Sequence, residues 1–571
     1  MPIHTSPTSR ARALALLAAP ALVLSGCARA TAETAPAATT PVISSNGTSG
    51  DITDADLRTR VYVFADDSMR GRQAGTEGDA RGVAYIEREV RRLGLEPAGD
   101  SGTFFQTVPL VKRAVMANAR LEVNGAPVAL WTEAVPLDAG PNARVIGQSG
   151  IVYAGSLSDT ASLAATTGTA GKAVIVHSPS GLPFQFVVQS ALRRYPEANA
   201  VLIAGADQLI ANYANYFRAG NTFLGGSPQD VTVGPTMPSV VLLTTPAAER
   251  LIGGKITATK PGTAGGTLRG DVRYERVVTP ARNVVAIWRG GDAALRGQYV
   301  ALGSHSDHIG VVPAVDHDSL RAFHQAMHDL GATDPFTPIP ADKRASIRVN
   351  VDSLRQLRPA RRDSINNGAD DDGSGSMALL EIAERLATMG TRPRRSVIFV
   401  WHTAEELGLF GSEWFTEHPT VPLDSVVAQL NMDMVGRGSA SDVKGGGPTY
   451  LQLVGSKRLS KELGSLVEQV NTRQPMPFSL DYGMDATNHP EQIYCRSDHA
   501  NYARFGIPVT FFTTGQHLDY HQVTDEPQYL QYPHLMRVTR FVFDVTTELA
   551  NRATRPALDG PKPSPGAECR Q

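Results

Sequence analysis

Five short clusters of acids and histidines constrain this chain more than any other feature, because most of them stand where a hydrophobic run gives out. They are His305-Ser306-Asp307, Asp370-Asp371-Asp372, Glu405-Glu406, Asp433 and Tyr520-His521. Gln298 to Leu302 predicts a strand leading to His305, Ser396 to Trp401 one leading to Glu405, and Val426 to Leu430 one before Asp433. Pro508 to Phe512 predicts another before the last cluster, with helices over Met377 to Leu386 and after Glu406. Strands and helices in alternation predict an α/β fold, a mainly parallel mixed sheet flanked by helices. In such open sheets a site is assembled at the carboxyl ends of separate strands rather than from one contiguous motif.

With 571 residues the chain has room for two to four domains. Its 42% hydrophobic and 19% charged residues are ordinary for globular protein. A net charge of −2 gives no electrostatic case for nucleic acid. Residues 1–27 read as an export signal: Arg10 and Arg12 precede an apolar run, Ala13 to Leu24, too short to span a bilayer. The run ends in Leu24-Ser25-Gly26-Cys27, which resembles a bacterial lipobox, so Cys27 is the expected lipidation site and the membrane anchor. Ala28 after it favours the outer membrane in a host with two membranes; the alternative is an ordinary secretory signal and a secreted protein. Later segments offer no run of about 18 apolar residues, so no membrane helix is expected.

Residues 28–50, rich in Ala, Thr, Pro and Ser, read as a flexible tether. From Asp51 the pattern is globular, with Val83, Ile86, Val90 and Leu93 at helical spacing before Gly94. Residues 126–272 change texture: short β-rich runs such as Lys172 to Val176 and Ala200 to Ile203 alternate with Gly- and Pro-bearing loops. This stretch resembles a protease-associated domain inserted between two parts of a catalytic domain, 51–125 and 273–552. A polar, basic segment at 317–362, carrying Arg355, Arg358, Arg361 and Arg362, reads as an insertion, either a lid or a solvated excursion. Residues 553–571 form a Pro-rich tail whose Cys569 either pairs with Cys495 or leaves that cysteine free.

The clusters carry the chemistry of a metal hydrolase. Zinc takes imidazole nitrogen and carboxylate oxygen, and a catalytic zinc keeps a position for water. Three consecutive carboxylates repel one another and are expensive to bury without a cation. Each cluster alone has a plainer reading: a surface histidine beside an acid, a calcium loop, an acid at a helix N-terminus, or a carboxylate satisfied in a turn. Together they supply two histidines, a bridging acid, two terminal acids and a general base.

In this order the segments resemble metallopeptidase family 28 (clan MH), the co-catalytic zinc aminopeptidases and their carboxypeptidase relatives, over about 51–125 and 275–550. The resemblance implies the phosphorylase/hydrolase-like zinc exopeptidase fold and two Zn2+ per chain. One zinc would be held by His305 and Asp433 and the other by Glu406 and His521, with Asp371 bridging. It also implies Glu405 as general base, Asp307 behind the ligands, Tyr520 against the tetrahedral intermediate, and a cis Asp371-Asp372 peptide. Arg496-Ser497-Asp498 fits a segment near the substrate pocket. The implied activity is removal of N-terminal residues from peptide or protein substrates. Rival readings are a carboxypeptidase gripping the terminal carboxylate through Arg496 or the inserted arginines, a glutaminyl cyclase-like enzyme, and a non-catalytic receptor-like module. The zincin-like spacing of His324 and His328 lacks its glutamate, with Gln325 in that place.

Overall fold

The computed structural model describes residues 47–571 except 139, 179–183, 232–235, 328–345, 444, 565 and 567–568. The signal segment, Cys27, most of the tether and His328 therefore lie outside the described residues. The predicted strands and helices of the catalytic part form in order. They are β2 (Tyr299–His305), α2 (Gly373–Thr388), β3 (Ser396–His402), α3 (Phe410–Glu417), β4 (Val426–Met432) and β5 (Val509–Thr513), to which the structure adds β1 (Ala281–Trp288), α1 (His317–Met327) and α4 (Tyr532–Asn551).

Their sheet runs β1-β3-β2-β4-β5, then Tyr450–Val454 and Ser479–Asp481. β3, β2, β4 and β5 are mutually parallel, while β1 and Tyr450–Val454 flank them antiparallel. Parallel strands covered on both faces read as continuous apolar runs, and Val397-Ile398-Phe399-Val400 of β3 is wholly buried. One face packs on α2 and α4 through Leu302, Phe399, Trp401, Leu380, Phe541 and Val542. The other packs on Phe415 of α3 and on Tyr502 through Ile287, Ile398 and Val400. After β2 the chain crosses to β3 on one side, then returns past β2 to β4 on the other. That reversal leaves a crevice above the carboxyl end of β2.

A second sheet of eight strands spans Arg120–Val123 to Ala264–Asp271, close to the expected 126–272. It is less purely β than the sequence suggests. Gly147–Ser156, Ala173–His177, Ala200–Ala204 and Ser239–Leu243 run parallel, and parallel neighbours need crossovers. Helices Phe184–Arg194 and Asp207–Ala219 supply two of them. The antiparallel strands Leu110–Val115 and Tyr274–Val278 carry the chain out to this sheet and back. Among the described residues no helix is long and apolar enough to cross a membrane.

Candidate active site

Four strand ends and one helix start meet in the crevice. His305 is the last residue of β2, in register with His402 of β3. Glu405 and Glu406 follow β3, Asp433 follows β4, and Tyr520 and His521 lie in the loop beyond β5. Asp371 precedes α2, whose first turn is capped by Asp372: its Oδ1 accepts from Gly375 N at 2.8 Å. The Asp371-Asp372 peptide is cis. Ala404, Met434 and His521 hold left-handed φ values of 56°, 56° and 58°, a strain that clusters at functional sites.

Asp371 faces two histidines with different oxygens. Its Oδ1 is 3.0 Å from His305 Nε2, and its Oδ2 is 3.2 Å from His521 Nε2. Asp433 Oδ1 stands 3.6 Å from His305 Nε2, Glu406 Oε2 stands 2.9 Å from His521 Nε2, and Glu405 Oε2 is 4.0 Å from His305 Nε2. Donors about 2.0–2.2 Å from a tetrahedral zinc lie about 3.3 Å from each other, the spacing found here. Asp371 Oδ2 and His521 Nε2 are close, yet neither has hydrogen-bond geometry to a partner. The donors thus fit zinc better than they fit each other. Asp372 also lies near His305 and Asp433, but its oxygens are already taken by the amides of Gly375, Met434 and His305.

Charge points the same way. Burial, reinforced by Asp433 and Glu406 and opposed by His305, holds the Glu405 carboxyl well above the usual range. Burial likewise raises Asp307 and Asp372. So many buried acids call for cations beyond those the chain itself brings. One fixed cation close by is Arg72, wholly buried, whose guanidinium is lowered to about 10 by burial against the pull of Asp525 and Asp307.

Neighbouring groups hold the ligands in place. His305 Nδ1 is 3.1 Å from the Asp307 carbonyl oxygen, while the Asp307 carboxylate accepts from Glu405 N at 3.1 Å. Ser497 Oγ donates to Asp433 Oδ2 at 2.7 Å. The Asp525 carboxylate accepts from the amides of Asp370 and Asp371. Arg72 donates to the carbonyls of Ser306, Asn367 and Gly368, tying the His305 loop to the Asp371 loop. His308 Nδ1 lies 2.6 Å from Glu406 Oε1. Sequence reasoning missed these last two residues. His308 had a signal, as a second histidine in the first cluster; Arg72 had none.

A pocket opens beside this centre. Asp371, Glu405, Asp433 and Tyr520 form its polar end, and Met434, Met484, Ile493 and Phe511 its apolar wall. Ser497 and Arg496 line it, Arg496 paired with Glu491 at 2.7 Å. Asp498 lies outside the lining, buried 3.3 Å from His402 Nδ1. The inserted arginines also point elsewhere: Arg355 and Arg358 pair with Asp318, and Arg361 with Asp363 and Glu526. Within the described part of the insertion, residues 346–362 are largely exposed, whereas α1 is mostly buried or half-buried. This helix presents Arg321 and His324 to the buried Asp519, next to Tyr520. Buried charges need partners, and Asp519 draws the arm onto the loop.

Comparison with known proteins follows the same lines. Residues 345–546 match the model of peptidase family M28. The likeness to that family covers this part of the chain. The match contains Asp371, Glu405, Glu406, Asp433, Tyr520 and His521, whereas His305 lies ahead of it, beyond the insertion. Leucine aminopeptidase 1 of Arthroderma gypseum is 28% identical over 211 residues, 34% of this chain and 53% of that protein. Leucine aminopeptidase 1 of Penicillium rubens is 26% identical over 260 residues, 42% and 63%. The chain thus spans little more than half the length of these curated relatives. BSAP, a zinc aminopeptidase from Bacillus subtilis, has the same fold at 15% identity, with a TM-score of 0.50 over 88% of this chain and 96% of its own.

Proposed function

We propose that this protein is a two-zinc aminopeptidase of family M28 that removes N-terminal residues, apolar ones foremost, from peptides. The observation that carries the reading is Asp371, whose two oxygens face two histidines that each have a second acid beside them. Two zinc ions bound there would supply an acidified water and polarisation of the scissile carbonyl. Glu405, at the pocket's polar end, takes the proton from the attacking water and returns it to the leaving amine. Tyr520 donates its phenolic hydrogen to the oxyanion.

Recognition of the N-terminus, rather than the C-terminus, follows from charge. The pocket's polar end is acidic and favours an α-ammonium, and its lining cation, Arg496, is neutralised by Glu491. Met434, Met484, Ile493 and Phe511 favour an apolar side chain. The 126–272 sheet is read as a protease-associated module. Work outside the cytoplasm, tethered through a lipidated Cys27, is part of the same proposal, and the Cys495–Cys569 disulfide suits an oxidising compartment.

The test is incubation of the zinc-loaded chain, lacking residues 1–27, with a peptide free at both ends. Mass spectrometry reads which end shortens, with a chelator as control. Chelator-sensitive loss from the N-terminus is expected. Loss from the C-terminus instead would overturn the aminopeptidase reading in favour of a carboxypeptidase.

A further inference from the structure

The wall that carries Met484, Ile493 and Arg496 to the pocket belongs to the segment 482–498. This segment contains only single-turn helices at Gly483–Asp485 and Ile493–Cys495. Irregular backbone must find partners for its amides and carbonyls outside regular structure. Here a distant piece of chain supplies them. Gln571 Oε1 accepts from Tyr494 N at 3.0 Å, and its Nε2 donates to the carbonyls of Met484 and of Ala486, the latter at 3.0 Å. Its carbonyl oxygen accepts from Asn488 N at 3.3 Å. Two residues earlier, Cys569 is bonded to Cys495, the residue before Arg496.

One side chain therefore bridges two turns, and each turn presents one apolar residue to the pocket: Met484 from the first and Ile493 from the second. The disulfide keeps Gln571 within reach of both. We propose that Gln571 and the Cys495–Cys569 link are positioning residues for substrate selectivity, a strap that sets the spacing of Met484 and Ile493 and hence the fit of the substrate's apolar side chain. Because the strap touches none of the metal-facing groups, its loss separates recognition from chemistry. The proposal rests on the reading of this cavity as the substrate pocket.

The experiment compares the zinc-loaded chain with Q571A and with C495S/C569S, using leucyl and alanyl p-nitroanilides, zinc content and calorimetric affinity for L-leucine. A third arm treats the unaltered chain with dithiothreitol. Loss of a fitted wall is expected to raise KM for the leucyl substrate on the order of tenfold. With kcat, alanyl KM and zinc content near the unaltered values, only uniform binding has been removed. Reduction should reproduce the double variant. Since C495S/C569S risks misfolding, Q571A decides alone if that variant is recovered unfolded. An unchanged leucyl-to-alanyl ratio in Q571A and in whatever double variant folds would overturn the strap. If the unaltered chain cleaves neither substrate, the aminopeptidase reading fails separately, and L-leucine affinity decides: weaker in the variants supports the strap, equal or undetectable throughout overturns it.

Discussion

His308 and Glu406 are joined by a 2.6 Å contact between imidazole Nδ1 and carboxylate Oε1, while the other oxygen, Oε2, stands 2.9 Å from His521 Nε2. The contact leaves Oε2 to His521, and His308 Nδ1 also stands 3.7 Å from Asp371 Oδ2. A group bonded to a metal-facing carboxylate fixes its orientation, and losing such a partner costs on the order of 10- to 100-fold in metal affinity. H308A should weaken one of the two zinc sites by that amount. Competition with a chromophoric chelator measures it, and two unchanged affinities would show that His308 does not orient Glu406.

E405Q keeps the shape of the side chain and removes its ability to carry a proton. A general base contributes on the order of 10²- to 10⁴-fold, so kcat should fall within that range while zinc content holds. A residual rate above a tenth of the unaltered one, read by the same peptide assay, would move the base elsewhere.

Arg72 reaches three carbonyls on the two ligand loops and a fourth, Phe64 O, from complete burial. Its removal also strips the acid cluster of a fixed cation. R72M should destabilise by about 3–5 kcal/mol, the range for breaking a buried charge arrangement, read by denaturant unfolding of the metal-free protein. R72K keeps charge but not the planar fork, and should recover part of the loss. Equal midpoints for all three proteins would remove Arg72 from this role.

Asp79 supplies a pH test. Burial raises its carboxyl to about 7, against hydrogen bonds from Gly75 N and Thr403 Oγ. The folded state thus holds a proton that the unfolded chain releases near the ordinary value. The stability this gives is complete below about pH 4 and is lost as pH rises through 7. D79N has no such dependence. Thermal melts of the metal-stripped proteins should show D79N gaining on the unaltered chain by a few kcal/mol between pH 4 and 8. Parallel curves would mean that Asp79 is ionised throughout.

The amino-acid sequence determined the local elements and the inventory of the site. Continuous apolar runs became the buried strands β2 to β5, the period of residues 83–93 became the helix Glu77–Arg92, and Gly94 closed it at a φ of +74°. These signals are local, since burial on both faces or on one stripe writes itself into neighbouring residues. Pairing across the molecule is not written that way. The Cys495–Cys569 bond, left open by the sequence, depends on where the tail lands. Two of the insertion's charges, Arg321 and Arg361, find partners far along the chain, in Asp519 and Glu526, which no local pattern shows. His308 and Arg72 gained their places only when the loops closed around them, because a hydrogen-bond partner is chosen by distance in space and not along the sequence. Tertiary structure alone decided which acids face His305 and His521 and which, like Asp372, are spent on backbone amides.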